Sequence, residues 1–343
     1  MRRTISKVPF GSYQGETVWR YTIENARHSQ LQVLSYAATW YDFIVPVDGQ
    51  PQSLVWHFET LDDYLKTPYQ VGKTIGRVAG RIGHAQFKLH GQTYRLPPND
   101  GQHLLHGGNH GLQTHNFDGH FDPTGDTVTL TTTLLSAEDG FPGDLKVTVS
   151  YRLTADDTVQ ITYHGVTTTD TLFDPTCHVY FNLNGGTALI NSQQLQLNST
   201  KLVHTDQDKI PTGVFYVPTP AYDFREQPVI QDQLDRLRHE TGQLGYDNCY
   251  VIDHQSEPAG RLVAAHGQLI FNTDRNGMVI FTANPDQGQA TPAGQYHALA
   301  VELQTLPDAI NHHGFGDPIL RAETPRTFMN QYRYVATKRA KTK

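Results

Sequence analysis

Two residues that could transfer protons, His178 and Glu302, lie in stretches that alternate like β-strands. In residues 172–185 (LFDPTCHVYFNLNG), one predicted face is apolar, whereas the other carries an imidazole, a phenol and an amide. In residues 296–304 (YHALAVELQ), Glu302 is flanked on its own face by alanines, which leave room for a ligand. Partial desolvation there would raise the pKa of the carboxylate toward that of a useful general base. The two stretches therefore indicate acid–base chemistry.

Each stretch, taken alone, also fits a half-buried antiparallel strand whose polar face is solvated. The chain holds 18 histidines, so a single one is weak evidence for a site. Asp247 lies in a turn, Gly-Tyr-Asp-Asn, directly before the predicted strand 249–252. Aspartate is common in turns for local hydrogen bonding alone. The residue types therefore predict a site only when they are taken together.

Two loop regions contain further polar groups. Residues 72–82 (GKTIGRVAGRI) carry Arg77 and Arg81, but no Gly-Lys-Ser/Thr ending or βαβ pattern marks a phosphate loop. The alternative is a turn-rich connection with solvated arginines. Residues 103–120 hold five histidines, for which a zinc site is conceivable. No cysteine or helical His-Glu spacing accompanies them, so we predict no metal site.

Strand patterns dominate the elements that must position these residues. Residues 145–153 (LKVTVSYRL) alternate without a break and are flanked by strand-like runs and turns, which predicts an antiparallel meander. Helical patterns are confined to a short turn around residues 62–65 and an amphipathic segment at 229–239. Many short strands separated by turn residues indicate an all-β sandwich or barrel. We found no repeat or linker, so we predict one domain spanning residues 1–343 despite the length.

Composition excludes several classes of protein. The net charge of −7 and a pI near 6.2 argue against a nucleic-acid-binding surface, and the basic tail at 338–343 is expected to be a solvated terminus. No apolar run approaches the ~20 residues of a membrane span. Arg2 and Arg3 precede a mixed polar stretch and not the apolar region of a signal peptide. Two cysteines make no disulfide framework, so we expect a cytoplasmic protein with reduced thiols.

In order, these stretches resemble the aldose 1-epimerase (galactose mutarotase) family from about residue 10 to residue 334. The matching segments are YAAT (36–39), VPVDG (45–49), ETLDDYL (59–65), GRVAGRI (76–82), LHGG (105–108), DGFPGDLKVTVSYRL (139–153), PTCHVYFNLNG (175–185), GYDN (245–248) and VELQTLPDAIN (301–311). A single motif would be weak, but this many in the family's order is a specific signal.

The resemblance implies a large antiparallel β-sandwich of the galactose mutarotase type, with few short helices and a site in an open cleft. It implies that His178 is the general acid and Glu302 the general base. Asp247, Arg81 and His106 resemble the family's sugar-binding residues. The implied partner is a small sugar, with no metal, cofactor, nucleic acid or membrane. Oligomeric state is not indicated.

Four positions depart from the family's pattern. Gly80 replaces the asparagine of GRVANRI, and a late glutamine near Gly277 is replaced by Val279 or Ile280. Cys177 stands where asparagine is usual, and Glu-Leu-Gln replaces Glu-Thr-Gln at Glu302. Loss of two amide contacts is expected to loosen or enlarge the sugar pocket without changing the reaction.

The implied reaction interconverts the α and β anomers of an aldose by opening and reclosing its ring. His178 would act protonated and Glu302 ionised, which predicts a bell-shaped pH dependence. The alternatives are a sugar-phosphate 1-epimerase that uses Arg77 and Arg81, a glycoside hydrolase that uses Glu302 and Asp247, and a non-catalytic sugar sensor. The preferred sugar is not indicated: galactose, glucose and a disaccharide such as maltose all fit.

Overall fold

Strands make up 48% of the chain and helices 11%, which confirms the predicted all-β class with few short helices. The structure is a computed structural model that describes residues 4–186, 188–255, 258–284 and 292–337, so the basic tail lies outside the described residues. The strands are, in chain order, β1 (Thr4–Tyr13), β2 (Glu16–Glu24), β3 (Gln30–Leu34), β4 (Thr39–Val47), β5 (Gln50–Ser53), β6 (Thr74–Ile75), β7 (Arg81–Ile82), β8 (Gln86–Leu89), β9 (Gln92–Arg95), β10 (Leu104–Leu105), β11 (Asp118–Phe121), β12 (Thr127–Leu134), β13 (Leu145–Leu153), β14 (Thr158–Thr167), β15 (Thr171–Leu172), β16 (Thr176–Cys177), β17 (Tyr180–Phe181), β18 (Gln194–Leu197), β19 (Lys201–Thr205), β20 (Pro211–Tyr216), β21 (Asp247–Val251), β22 (Gly260–Ala264), β23 (Gly267–Thr273), β24 (Gly277–Ala283), β25 (Ala298–Gln304), β26 (Ile319–Leu320) and β27 (Arg326–Ala336).

Three large sheets organise these strands, and their neighbouring strands pair antiparallel. The sheets run in the orders β1-β2-β3-β4-β5, β11-β12-β13-β14-β27-β23-β22-β18 and β17-β25-β24-β21-β19-β20. The predicted meander is confirmed as β12-β13-β14, and β13 buries every second side chain because one face packs on the core. Smaller two-stranded sheets are also present, among them β6 with β16 and β7 with β10.

Short helices fill the gaps between the sheets. They are α1 (Leu61–Lys66), α2 (Ser136–Asp139) and α3 (Ile230–Thr241). The first and third were predicted, and α3 buries the apolar stripe that its periodicity indicated. The second was not, because four residues are too few to show a helical period. No helix among the described residues is long and apolar enough to cross a membrane.

The largest group of mutually packed apolar side chains draws on residues from Tyr21 to Tyr334 and lies between the large sheets. A second group, which includes Tyr64, Tyr180 and Ala300, packs against the other face of the six-stranded sheet. That sheet is therefore covered on both sides. The continuity of the larger group supports the prediction of one domain, which stays a prediction.

Candidate active site

A pocket opens on one face of the six-stranded sheet, where β17, β25, β24 and β21 lie side by side. Glu302 on β25 pairs with Val279 on β24, and Asp247 on β21 pairs with Phe281. Cross-strand partners point to the same face of a sheet, so these four side chains converge. The pocket encloses about 290 Å³, and its lining includes Tyr69, Arg81, His106, His178, Tyr180, Lys209, Asp247, Val279, Phe281, Glu302 and Gln304.

The prediction of one continuous strand over 172–185 is wrong. Residues 176–177 form β16 with β6, whereas 180–181 form β17 with β25. His178 lies between them, where its N–H donates to the Lys73 carbonyl and its own carbonyl accepts the Gly72 N–H. The chain therefore changes hydrogen-bonding partner at His178. The predicted apolar face is confirmed, since all four of its residues belong to the main core: Cys177, Val179, Phe181 and Leu183.

His178 and Glu302, 124 positions apart in the numbering, meet at the base of this pocket. The distance from His178 Nε2 to Glu302 Oε1 is 3.4 Å. The residues are only 6% and 3% exposed, so the solvated-strand alternative for Glu302 is wrong. The ring of Tyr180 stacks on His178 at 5.0 Å between centroids and holds the imidazole in place.

Burial sets the charge state of this pair. It raises the pKa of Glu302 from 4.5 to about 8, with a smaller contribution from the negative charge of Asp247. Burial likewise lowers the pKa of His178 from 6.5 to about 4. Between pH 4 and pH 8, Glu302 is therefore protonated and the imidazole of His178 is neutral. Apart from the ring N–H of His178, the pair then holds one proton. In the free protein a dry site disfavours both charges, so the reacting state with His178 protonated and Glu302 ionised stays a prediction for the complex with the sugar.

Several polar atoms in the pocket are buried without a hydrogen-bond partner. They are Gln70 Oε1, His178 Nδ1, Tyr180 Oη, Glu302 Oε2 and Gln304 Oε1. An unpaired buried polar atom costs roughly 1–3 kcal/mol, so several of them in one pocket require an explanation. Their concentration beside the proton-sharing pair indicates that a polar ligand completes the network.

His106 reaches the pocket from the loop after β10, and its ring lies edge-on to His178 at 5.4 Å. Its Nδ1 accepts the Gly80 N–H at 3.2 Å, and burial lowers its pKa well below 6.5. The neutral ring must therefore carry its proton on Nε2 and act there as a hydrogen-bond donor. This role suits a sugar oxygen.

His106, His178 and Glu302 are also close enough to hold a metal ion, with one ligand atom each inside 4.8 Å. A metal at Nδ1 of His106 would displace the Gly80 N–H, and one at Nε2 would require the opposite tautomer. The donor set therefore fits hydrogen bonding better than coordination. Within the described residues, the histidines of 103–120 form no metal-binding group of their own.

The structure brings Arg81 and Asp247 to the pocket and separates Arg77 from it. Arg81 lines the wall, with its Nε 2.7 Å from Asp100 Oδ2. Asp247, whose side chain is 43% exposed, lies at the mouth. Arg77 was predicted to be a solvated loop residue or a phosphate ligand, and this is wrong. It is 0% exposed and pairs with Asp139 behind the site, because the glycine-rich segment passes through the core.

Two departures from the family's pattern have a structural explanation. Gly80 has φ +72°, and a Cβ there would lie 2.9 Å from Pro307 Cβ, so the close packing of Pro307 excludes a side chain. Val279 lines the pocket, whereas Ile280 lies in the core, so Val279 occupies the position of the missing amide. Directly opposite Glu302, this valine adds to the desolvation that raises the carboxylate pKa.

Sequence reasoning missed Tyr69, Lys209 and Asp100. All three come from irregular segments whose approach to the pocket depends on the tertiary fold. The one local signal is the Asp-Gln-Asp-Lys run at 206–209, which is typical of a tight turn.

Comparisons with known proteins identify the family of this chain. The profile of the Aldose 1-epimerase family matches residues 20–333. The chain belongs to the aldose 1-epimerase family. Over 337 residues it is 39% identical to a maltose epimerase from Levilactobacillus brevis, covering 96% of this chain and 98% of the relative. It is 36% identical to an aldose 1-epimerase from Streptococcus thermophilus, covering 90% and 92% of the two chains.

Solved structures of aldose 1-epimerases share the fold. A galactose 1-epimerase from Lactobacillus acidophilus superposes with a TM-score of 0.85 at 24% identity, over 98% of this chain and 100% of that one. A homologue from C. elegans gives 0.83 at 26% identity, over 92% and 98%. The predicted fold and reaction are confirmed: this aldose 1-epimerase is an isomerase, and the hydrolase and sensor alternatives are wrong.

Proposed function

We propose that His178 and Glu302 are the acid–base pair of this aldose 1-epimerase and that its substrates are free, unphosphorylated aldoses. The observation that carries the proposal is the buried contact of 3.4 Å between the two side chains at the base of the pocket. One proton shared between an acid and a base is what ring opening requires. Such a pair contributes ~10²–10⁴ in rate for each proton transfer.

The proposed cycle moves that proton and breaks one bond. A sugar hydroxyl donates to the unpartnered Glu302 Oε2, which stabilises the carboxylate and shifts the shared proton to His178. Glu302 then takes the proton of the anomeric hydroxyl while His178 protonates the ring oxygen, and the bond between C1 and the ring oxygen breaks. The aldehyde turns about C1–C2, and the ring recloses on the other face with the proton transfers reversed.

The charges around the pocket favour a neutral sugar over a sugar phosphate. Arg81 is paired with Asp100, and Lys209 lies 3.9 Å from Asp247. Arg77, which the phosphate alternative required, is buried against Asp139. A phosphate dianion would therefore have to displace a carboxylate to gain a cation.

Polarimetry tests the proposal. Freshly dissolved α-D-glucose, α-D-galactose and maltose should each approach equilibrium rotation faster with the enzyme than without it. Glucose 6-phosphate should show a smaller acceleration. A larger effect on the phosphate ester would overturn the assignment to unphosphorylated sugars.

The pH dependence of kcat/KM should be a broad bell with limbs near the two pKa values. Below about pH 4, His178 is protonated as well as Glu302, so neither side chain can act as a base. Above about 8, Glu302 loses the only proton, and no acid remains. We therefore expect a plateau across pH 5–7, measured with the uncatalysed rate subtracted at each pH. A single limb centred at pH 6, the ordinary range of histidine, would contradict the shared-proton pair.

We also propose that the enzyme is cytoplasmic. Cys177 and Cys249 are both free and buried, and burial raises the pKa of Cys177 to about 12. Unpaired thiols are typical of a reducing compartment. Fractionation of the source cells, with the mutarotase assay as the readout, tests the location.

A further inference from the structure

The cleft of this enzyme extends beyond the catalytic pair. His178 and Glu302 are buried at the bottom of the cleft, whereas Tyr69 and Phe281 are half-buried nearer the mouth. At the mouth, the side chains of Asp247 and Lys209 are 43% and 39% exposed. The proposed function places the reacting C1 atom beside His178 and Glu302, so these outer groups are the ones available to a substituent of the reacting sugar.

One wall of the cleft is aromatic from base to mouth. Tyr180 stacks on His178, and Tyr69 lies edge-on to Tyr180 at 6.5 Å between centroids. Tyr69 also stacks on Phe281 at 6.3 Å, which fixes the orientation of its ring. Rigid aromatic surfaces bind ligands that present a flat apolar face, and the C–H face of a pyranose is such a surface.

The mouth of the cleft also carries polar groups, and the backbone of one turn holds them in place. Lys209 has φ +63°, a conformation that non-glycine residues adopt at a cost. The Asp206 carboxylate enforces this turn by accepting the N–H groups of Asp208 and Ile210. The turn places the Lys209 ammonium 3.9 Å from the Asp247 carboxylate, so donors and acceptors lie together at the mouth.

The chemistry of these aromatic and polar lining residues suits a neutral, polyhydroxylated ring. Because the charge of Lys209 is balanced by Asp247, an anionic group would gain little there, whereas hydroxyl groups can both accept from the amine and donate to the carboxylate. We propose that the space between Tyr69 and Lys209 binds a second sugar ring, so that the enzyme acts preferentially on reducing disaccharides. This inference rests on the proposed function, since it requires the reacting ring to lie beside His178 and Glu302.

The test compares kcat/KM for maltose with that for glucose, by polarimetry, in the wild type and two variants. Lys209→Asn removes the amine and keeps a residue that tolerates positive φ. Tyr69→Leu removes the aromatic face. Each variant should lower the maltose-to-glucose ratio of kcat/KM about tenfold, as expected for the loss of one charged hydrogen bond or one ring contact. Lys201→Asn, at an exposed position on β19 away from the pocket, serves as the control and should leave the ratio unchanged.

The outcomes separate the inference from the proposed function. A wild type that accelerates mutarotation of neither sugar overturns the proposed function. A wild type active on both sugars, with a ratio that neither variant changes, overturns only the second-ring site. A variant that loses activity on both sugars equally shows a shared structural role for that residue and contradicts its assignment to the second ring.

Discussion

Replacing Glu302 with glutamine is expected to lower kcat for glucose and galactose by about 10²–10⁴ and to change sugar affinity only a few-fold. The loss follows because an amide cannot accept the proton of the anomeric hydroxyl. Affinity should largely persist because the amide oxygen of glutamine can still accept the sugar hydroxyl, and glutamine keeps the shape and the neutral charge that Glu302, with its pKa raised to about 8, has in the free protein at pH 7. Polarimetry measures the first quantity and titration calorimetry the second.

The matched control is Glu226→Gln, at an exposed position that is not in the pocket. This variant should retain full activity, which shows that losing one carboxylate elsewhere is harmless. Equal losses of binding and turnover in the Glu302 variant would mean that the carboxylate shapes the pocket without transferring a proton.

Replacing Glu302 with glutamine should also stabilise the fold at alkaline pH. In the wild type the folded state keeps the Glu302 proton up to about pH 8, whereas the unfolded chain loses it near 4.5. Stability is therefore lost as pH rises between these values, by about 5 kcal/mol when the group is fully ionised, at 1.36 kcal/mol per pH unit. Glutamine escapes this loss, so the variant should melt at a higher temperature than the wild type at pH 9, with a smaller difference at pH 5. A lower melting temperature at pH 9 would contradict the buried-carboxylate argument.

How much of this could be predicted from the sequence depends on the range of the interactions involved. Alternation along β13 and β25 is a local property, and it correctly assigned the core faces and the pocket face that carries Glu302. The resemblance brought His178 and Glu302 to one sugar ring, and the fold places them 3.4 Å apart. What the alternation could not indicate was burial on both faces of β25, because that depends on Tyr180 and its neighbours, which cover the sheet. The sequence therefore predicted the direction of the Glu302 pKa shift but not its size, which depends on this burial.

The burial of Arg77 could not be predicted from local sequence patterns, because the residues around it come from distant parts of the chain. Its partner Asp139 lies 62 positions later, in the four-residue helix α2 that no periodicity reveals. A glycine-rich loop with arginines resembles a solvated connection until that partner is known. The structure instead makes Arg77 the centre of a buried network, and its replacement gives the largest loss of stability that we expect from a substitution.

Replacing Arg77 with methionine should reduce the free energy of unfolding by about 3–5 kcal/mol at pH 7, measured by urea denaturation. The guanidinium Nε and Nη2 bind the two Asp139 carboxylate oxygens at 2.6 and 3.0 Å, and Nη1 donates to Pro142 and Thr171. Methionine fills much of the space but leaves the Asp139 charge without its counter-ion. Burial already raises the pKa of Asp139 against the opposing pull of Arg77, so the variant should take up a proton there on folding. The difference in the free energy of unfolding between the variant and the wild type should therefore shrink as pH falls toward 4.

Two comparisons isolate burial as the cause of this loss. Arg225 pairs with Asp223 at the same 2.6 Å, but its side chain is 47% exposed, so Arg225→Met should cost far less stability. Asp139→Asn added to Arg77→Met removes the stranded charge and should recover part of the loss at pH 7, which a double-mutant cycle quantifies. Folded Arg77→Met should keep the wild-type kcat/KM for glucose, because Arg77 does not line the pocket. Equal costs at Arg77 and Arg225 would show that pairing distance, and not desolvation, determines what an ion pair contributes to this fold.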